Sequence, residues 1–117
     1  MNVRLEFKKA LESQNHQTFF ISGLGIEVMS HDIFKGQLEL TSILNGRDYD
    51  RWRLPTPDEC FCFWSLKQLD TGNFHDWYYW CEDDPSVSLA RIFKMDVPFV
   101  ATRSRYDHYY IRLVRDI

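Results

Sequence analysis

Cysteine is scarce in this sequence: three residues in 117, an odd count that rules out a disulfide-dense secreted scaffold. A long apolar run is missing too. Arg4, Lys8, Lys9, Glu12 and His16 interrupt the first thirty residues, so neither a secretory leader nor a membrane span can be read there. The expectation is a cytoplasmic chain with no membrane attachment, although a mature chain shorn of its leader would look the same. Positive charge is not in excess. Fourteen Lys and Arg against seventeen Asp and Glu leave a net charge of -3, which offers no global field for a phosphate backbone. Nucleic acid is therefore not expected as a partner. Glycine-rich phosphate loops, zinc signatures and nucleotide fingerprints are also lacking, so no cofactor and no metal are expected.

Aromatic side chains are plentiful, with nine Phe, six Tyr and four Trp in a composition that is 44% hydrophobic. That suffices for the core of one domain spanning residues 1–117, with 1–16 as a short N-terminal helical extension. Phe19, Phe20 and Ile21 read as a buried strand, and Ile26, Val28 and Met29 around Glu27 as a second. From about Phe34 the spacing turns helical, since Leu40, Ile43 and Leu44 share one face until Asn45-Gly46 stops it. Thr56-Pro57-Asp58-Glu59 is a helix start: a capping hydroxyl, a proline where no amide partner is needed, and a glutamate to close the box. This helix should reach about Leu69 and bury Phe61, Phe63, Trp64 and Leu66. Tyr78 to Cys81, Ser88 to Met95, Val97 to Thr102 and Tyr109 to Val114 follow as strands, the last closing the sheet. Pro98 argues for a bulge or an edge. The expected class is α+β: two helices packed against a twisted antiparallel sheet.

Trp52-Arg53-Leu54-Pro55-Thr56, ahead of an acidic helix start, resembles the hallmark of the DUF1566 group of bacterial domains. That group is related to the formylglycine-generating sulfatase-modifying domains of the C-type lectin-like fold. Tyr79-Trp80 is similar to its Tyr-Trp-Ser strand, with Cys81 in place of serine, and Tyr110 to Arg115 to its closing strand. The resemblance covers about residues 23–116 and implies a C-type lectin-like fold in a bacterial or phage protein. It also implies that Trp52, Arg53, Leu54, Pro55, Thr56, Glu59, Tyr79, Trp80, Tyr110, Arg112 and Arg115 serve structure. Trp52 and Leu54 should enter the core while Arg53 reaches outward, and Arg112 and Arg115 should pair with carboxylates.

No catalytic constellation emerges. Cys60 and Cys62 lie two apart on the expected helix and point away from each other, so one ion cannot take both. Buried thiols are the simpler reading, with Cys81 partly exposed. The sulfatase-modifying activity needs a late cysteine pair, and the last 36 residues have none. Glu-Pro-Asn, Gln-Pro-Asp and Trp-Asn-Asp, the calcium-lectin signatures, are absent, so carbohydrate is kept only as a secondary ligand class. His75 with Asp76, or His108 with Asp107, could be drawn as acid–base pairs, but adjacent residues diverge and no nucleophile stands beside either.

What remains is recognition. Trp77, Tyr78, the acidic turn Glu82, Asp83 and Asp84, and the loop residues Arg103, Arg105, Tyr106 and His108 form the expected partner-binding set. The leading expectation is a non-catalytic module that binds a protein partner, with a phage or mobile-element accessory role as one setting. A metal- or thiol-dependent enzyme and a homo-oligomeric structural component are the competing classes. The sequence assigns no oligomeric state.

Overall fold

Thr56 takes an extended conformation, its hydroxyl accepts from the Glu59 amide at 3.2 Å, and the Glu59 carboxylate accepts from the Thr56 amide at 2.8 Å. Both halves of the capping box are present, and Pro57 opens helix α1, Pro57–Gln68. Two orphan amides of the first turn are thus satisfied by side chains. Thr56→Ala removes one of these bonds and is expected to cost about 1 kcal/mol in equilibrium denaturation.

The computed structural model describes residues 9, 17–37, 51–82 and 90–117. Eight strands accompany α1 among them: β1 (Thr18–Ile21), β2 (Ile26–Met29), β3 (Phe34–Gly36), β4 (Tyr78–Trp80), β5 (Ala90–Lys94), β6 (Phe99–Arg103), β7 (Tyr109–Ile111) and β8 (Val114–Asp116). They form two open sheets, one of three strands in the order β1-β2-β8 and one of five in the order β3-β7-β4-β5-β6. Strands β4 and β7 run parallel, with Tyr79 opposite Tyr110.

This corrects the expected architecture. The described residues hold one α-helix and two open sheets, where the C-type lectin-like expectation required two helices on a single antiparallel sheet. The expected helical extension at 1–16 lies outside the described residues except for Lys9, which is helical. Phe34–Gly36, expected to lead into a helix, is a strand paired with β7, while Leu40, Ile43, Leu44 and Asn45-Gly46 lie outside the described residues. The single closing strand expected at 109–114 is two strands. The chain leaves the large sheet after Ile111 and joins the small one at Val114, so Arg112 and Leu113 sit at the crossing.

Alternation along β4 and β5 divides the core between the two faces of the large sheet. Tyr79 and Phe93 point to the side occupied by Cys60 and Phe63 of α1 and by Ile26, Val28 and Val114 of the small sheet. Trp80 and Ile92 point to the other side, with Ala90, Ile111, Leu113 and Met29. The Trp80 indole is buried and donates to the Gly36 carbonyl at 2.8 Å, fastening the β3 edge of the sheet. Phe61, expected in the core, is 42% exposed and meets Phe93 edge-on. Trp52 is half-buried beneath the Arg115 guanidinium, 4.5 Å from its ring centroid, so its indole is shielded by a cation as well as by the core.

Arg53 does not reach outward as expected. Its backbone bridges to Val114, and its guanidinium turns back to Glu59, with two contacts of 2.9 Å, and to Asp116 at 2.9 Å. The segment before the helix, the helix itself and the last strand are joined through this one side chain. Burial acts to raise the Glu59 carboxyl, but Arg53 and the Thr56 hydrogen bonds outweigh it and hold it below the usual glutamate range.

Candidate functional site

Two groupings of side chains go beyond what the core requires. The first surrounds Asp32, in the link between β2 and β3. Its carboxylate accepts from Arg112 Nε at 2.8 Å and from the Tyr79 hydroxyl at 2.7 Å, and it meets His75 Nδ1. Arg112 is fully buried; its Nη1 donates to the carbonyls of Met29 and Gly72 at 3.0 and 2.7 Å, and its Nη2 to that of Asn73 at 2.7 Å. The guanidinium also lies over the Phe74 ring at 4.2 Å.

The loop after α1 is shaped for this contact. Asp70, Gly72 and Asn73 all have positive φ, and a Cβ at Gly72 would stand 2.5 Å from the Phe74 ring. Asp and Asn tolerate the left-handed region. At position 72 glycine avoids both the strain and the Phe74 ring, in a turn that brings the Gly72 and Asn73 carbonyls onto a buried cation.

His75 closes the cluster toward solvent. Its ring stacks on Tyr110 at 4.3 Å, and its backbone amide donates to the Tyr79 hydroxyl at 2.8 Å. The acid partners drawn from neighbouring residues are corrected here. Asp76 pairs with Lys67 at 2.6 Å, Asp107 accepts from the Tyr109 hydroxyl at 3.2 Å, and the carboxylate beside His75 is Asp32, 43 residues away in sequence. An imidazole oriented by a carboxylate is the arrangement of a general base. The Tyr79 hydroxyl shares the Asp32 carboxylate with the imidazole, and its ionisation is pushed far up by burial and by the Asp32 charge, so it stays a donor.

Of the three thiols, Cys62 is half-buried on α1, not buried as expected, and the other two offer no better nucleophile. Cys81, expected to be partly exposed, is fully buried, and so is Cys60. Burial pushes the Cys60 thiol up, and its hydrogen bond with Cys81 adds to that, which disfavours the reactive thiolate. Among the described residues no three His, Cys, Asp or Glu side chains gather as a metal site would require.

The second grouping lies where the outer rungs of the large sheet meet solvent. Tyr78, Lys94 and Phe99 share one rung, on the same face as Trp80. Tyr78 contacts Trp77 at 5.0 Å and Tyr109 at 5.3 Å, and Lys94 Nζ and the Arg103 guanidinium each lie 5.9 Å from its ring centre. Trp77 is 48% exposed although the Met95 amide anchors its carbonyl at 3.1 Å. An aromatic ring is thus held open to solvent on a rigid strand end.

The expected binding residues divide on this surface. Trp77, Tyr78 and Arg103 are brought together, with Arg103 ending β6 instead of starting a loop. Tyr106 is exposed, and its carbonyl accepts from Gln37 Nε2 at 2.9 Å; His108 is exposed and Arg105 half-buried. Glu82 stands at the opposite end of β4 from Trp77, its amide bonded to the Pro55 carbonyl at 2.6 Å and its carbonyl to Arg91 at 2.9 Å. Asp83 and Asp84 lie outside the described residues. Sequence reading missed Lys94, Phe99 and Tyr109, which reach Tyr78 only through strand pairing, and Asp32, which no local pattern singles out.

No known protein family and no curated protein matches the chain. No helix among the described residues is long and apolar enough to cross a membrane.

Proposed function

We propose that this protein is a non-catalytic recognition module that binds a protein partner through the Trp77–Tyr78–Arg103 face. The observation that carries this is the exposed Trp77 ring, packed on a Tyr78 that two cations and a second tyrosine hold in place. Trp, Tyr and Arg are the residue types that supply most binding energy at protein interfaces, and a ring already fixed in place loses little entropy on binding. Lys94 is paired with Asp96 at 3.6 Å, so Arg103 is the cation that the face offers to an acidic group on the partner. Buried thiols at Cys60 and Cys81, free of a disulfide, suit a reducing cytoplasm.

The test is affinity capture from lysate of the source organism, followed by titration of the purified partner against the wild type, Trp77→Ala and Tyr106→Ala. The Trp77 variant is expected to weaken binding at least tenfold, about 1.4 kcal/mol or more, with its melting temperature unchanged. A partner that binds wild type and Trp77→Ala alike, or capture that yields no saturable partner, would overturn the assignment.

A further inference from the structure

Strand β6 is an edge of the large sheet: among the described residues it pairs with β5 alone, in unbroken register from Phe99 opposite Lys94 to Arg103 opposite Ala90. Proteins usually blunt such an edge with a bulge, a proline or an inward-pointing charge, because a bare row of amides and carbonyls is a template for another strand. None of these lies inside β6. Pro98 stands just before it, and the one charge, Arg103, is at its end. Phe99 and Val100 are 39% and 37% exposed, and Thr102 is exposed as well.

The five residues are also complementary to themselves. In an antiparallel pair with its two-fold axis at Ala101, Phe99 falls opposite Arg103 of the other copy, Val100 opposite Thr102, and alanine opposite alanine. Arg103, which lies 5.9 Å from the Tyr78 ring of its own chain, would turn outward to meet the Phe99 ring of the other copy, and Phe99 already faces a cation, Lys94, at 5.5 Å. The smallest side chain of the strand sits on the axis. Moving the axis by one residue in either direction pushes one end of the strand past its partner, so only Ala101 keeps all five residues paired. The two arginines stay four residues apart along the strand, out of each other's way.

We infer that β6 is a self-association edge, through which two copies of this chain join their five-stranded sheets into one continuous sheet of ten. Residues directly opposite in a sheet point to the same face, so the dimer sets both Trp77–Tyr78 surfaces on one side. A partner with repeated sites would then be engaged twice, with the gain in avidity that two linked contacts bring. The dimer does not depend on the recognition proposed above, and each can fail alone: Trp77→Ala reads one, and β6 variants read the other.

Sedimentation equilibrium of the full chain at about 10–100 μM should show a monomer–dimer equilibrium. Val100→Lys with Thr102→Lys, both at exposed positions, sets lysine against lysine across the axis and should raise the dissociation constant at least about tenfold. Val100→Lys with Thr102→Glu sets lysine against glutamate and should restore the dimer, an outcome that general damage to the strand would not give. Ala101→Cys should cross-link under mild oxidation where the wild-type chain does not, since cross-strand Cα separations of about 4.5–5.5 Å suit a disulfide. A wild type that stays monomeric, a dimer that the double-lysine variant leaves intact, or failure of Ala101→Cys to link would overturn the proposal.

Discussion

Arg112→Met lowers the unfolding free energy by about 3–5 kcal/mol, the cost typical of breaking a buried ion pair from one side. Methionine fills most of the aliphatic volume but supplies none of the donors. Asp32, whose side chain is 6% exposed, is left with Tyr79 and His75 alone, and the carbonyls of Met29, Gly72 and Asn73 lose their buried partner. Each unsatisfied buried acceptor costs about 1–3 kcal/mol, and relaxation of the 70–74 loop recovers part of it. The measurement is a urea titration of wild type and variant followed by tryptophan fluorescence. The double variant Asp32→Asn with Arg112→Met separates the causes. Stability partly regained relative to Arg112→Met identifies the stranded carboxylate as the dominant loss. No gain transfers the cost to the three carbonyls. A midpoint near that of wild type for Arg112→Met itself would contradict the buried network.

The reason this cost is large is topological. Arg112 lies where the chain passes from β7 in the large sheet to β8 in the small one, and its contacts tie that crossing to the β2 end, to the link before β3 and to the loop after α1. Strand periodicity cannot reveal such a crossing. Tyr109 to Val114 alternates well enough to read as one strand, because alternation records which residues are buried and not which sheet buries them.

The same limit explains what was and was not legible elsewhere. The helix start at Thr56 to Glu59 was readable because capping is a contact between residues three apart. Arg53 was misread as outward-pointing because its partners, Glu59 and Asp116, are set by the fold. Phe34–Gly36 was drawn toward a helix by Leu40, Ile43 and Leu44 downstream, whereas its strand character comes from pairing with Tyr109 to Ile111. For the candidate site, residue type pointed to Trp77, Tyr78 and Arg103, since exposed aromatics and arginine are informative by themselves. Residue type could not say that Arg103 folds back over Tyr78 or that Glu82 stands at the far end of β4. Sequence order groups Glu82 with Trp77 and Tyr78 in one expected binding set, yet Glu82 does not adjoin the Trp77 face.

Glu59→Ala is expected to lower stability by about 2–3 kcal/mol, because one carboxylate serves both the helix cap and the Arg53 pair. Glu59→Gln distinguishes the two roles. Glutamine can still accept from the Thr56 amide, so the cap survives, while the charge that Arg53 meets on both oxygens is lost. About half of the alanine effect should remain. Acid titration supplies an independent check. A carboxyl held below its unfolded value contributes stability that is fully present above about pH 4.3, the ordinary glutamate range, and is lost as pH falls through the lowered folded value. The wild type should therefore lose stability on acidification faster than Glu59→Gln, and the two melting temperatures should converge at low pH. Glu27, lowered by Arg115 and Thr18, titrates in both proteins and keeps some acid sensitivity in the variant. Parallel acid limbs for wild type and Glu59→Gln would show that the Arg53–Glu59 pair contributes nothing beyond the cap. Arg53 would then join the last strand to the helix start through its backbone bridge to Val114 and its contact with Asp116.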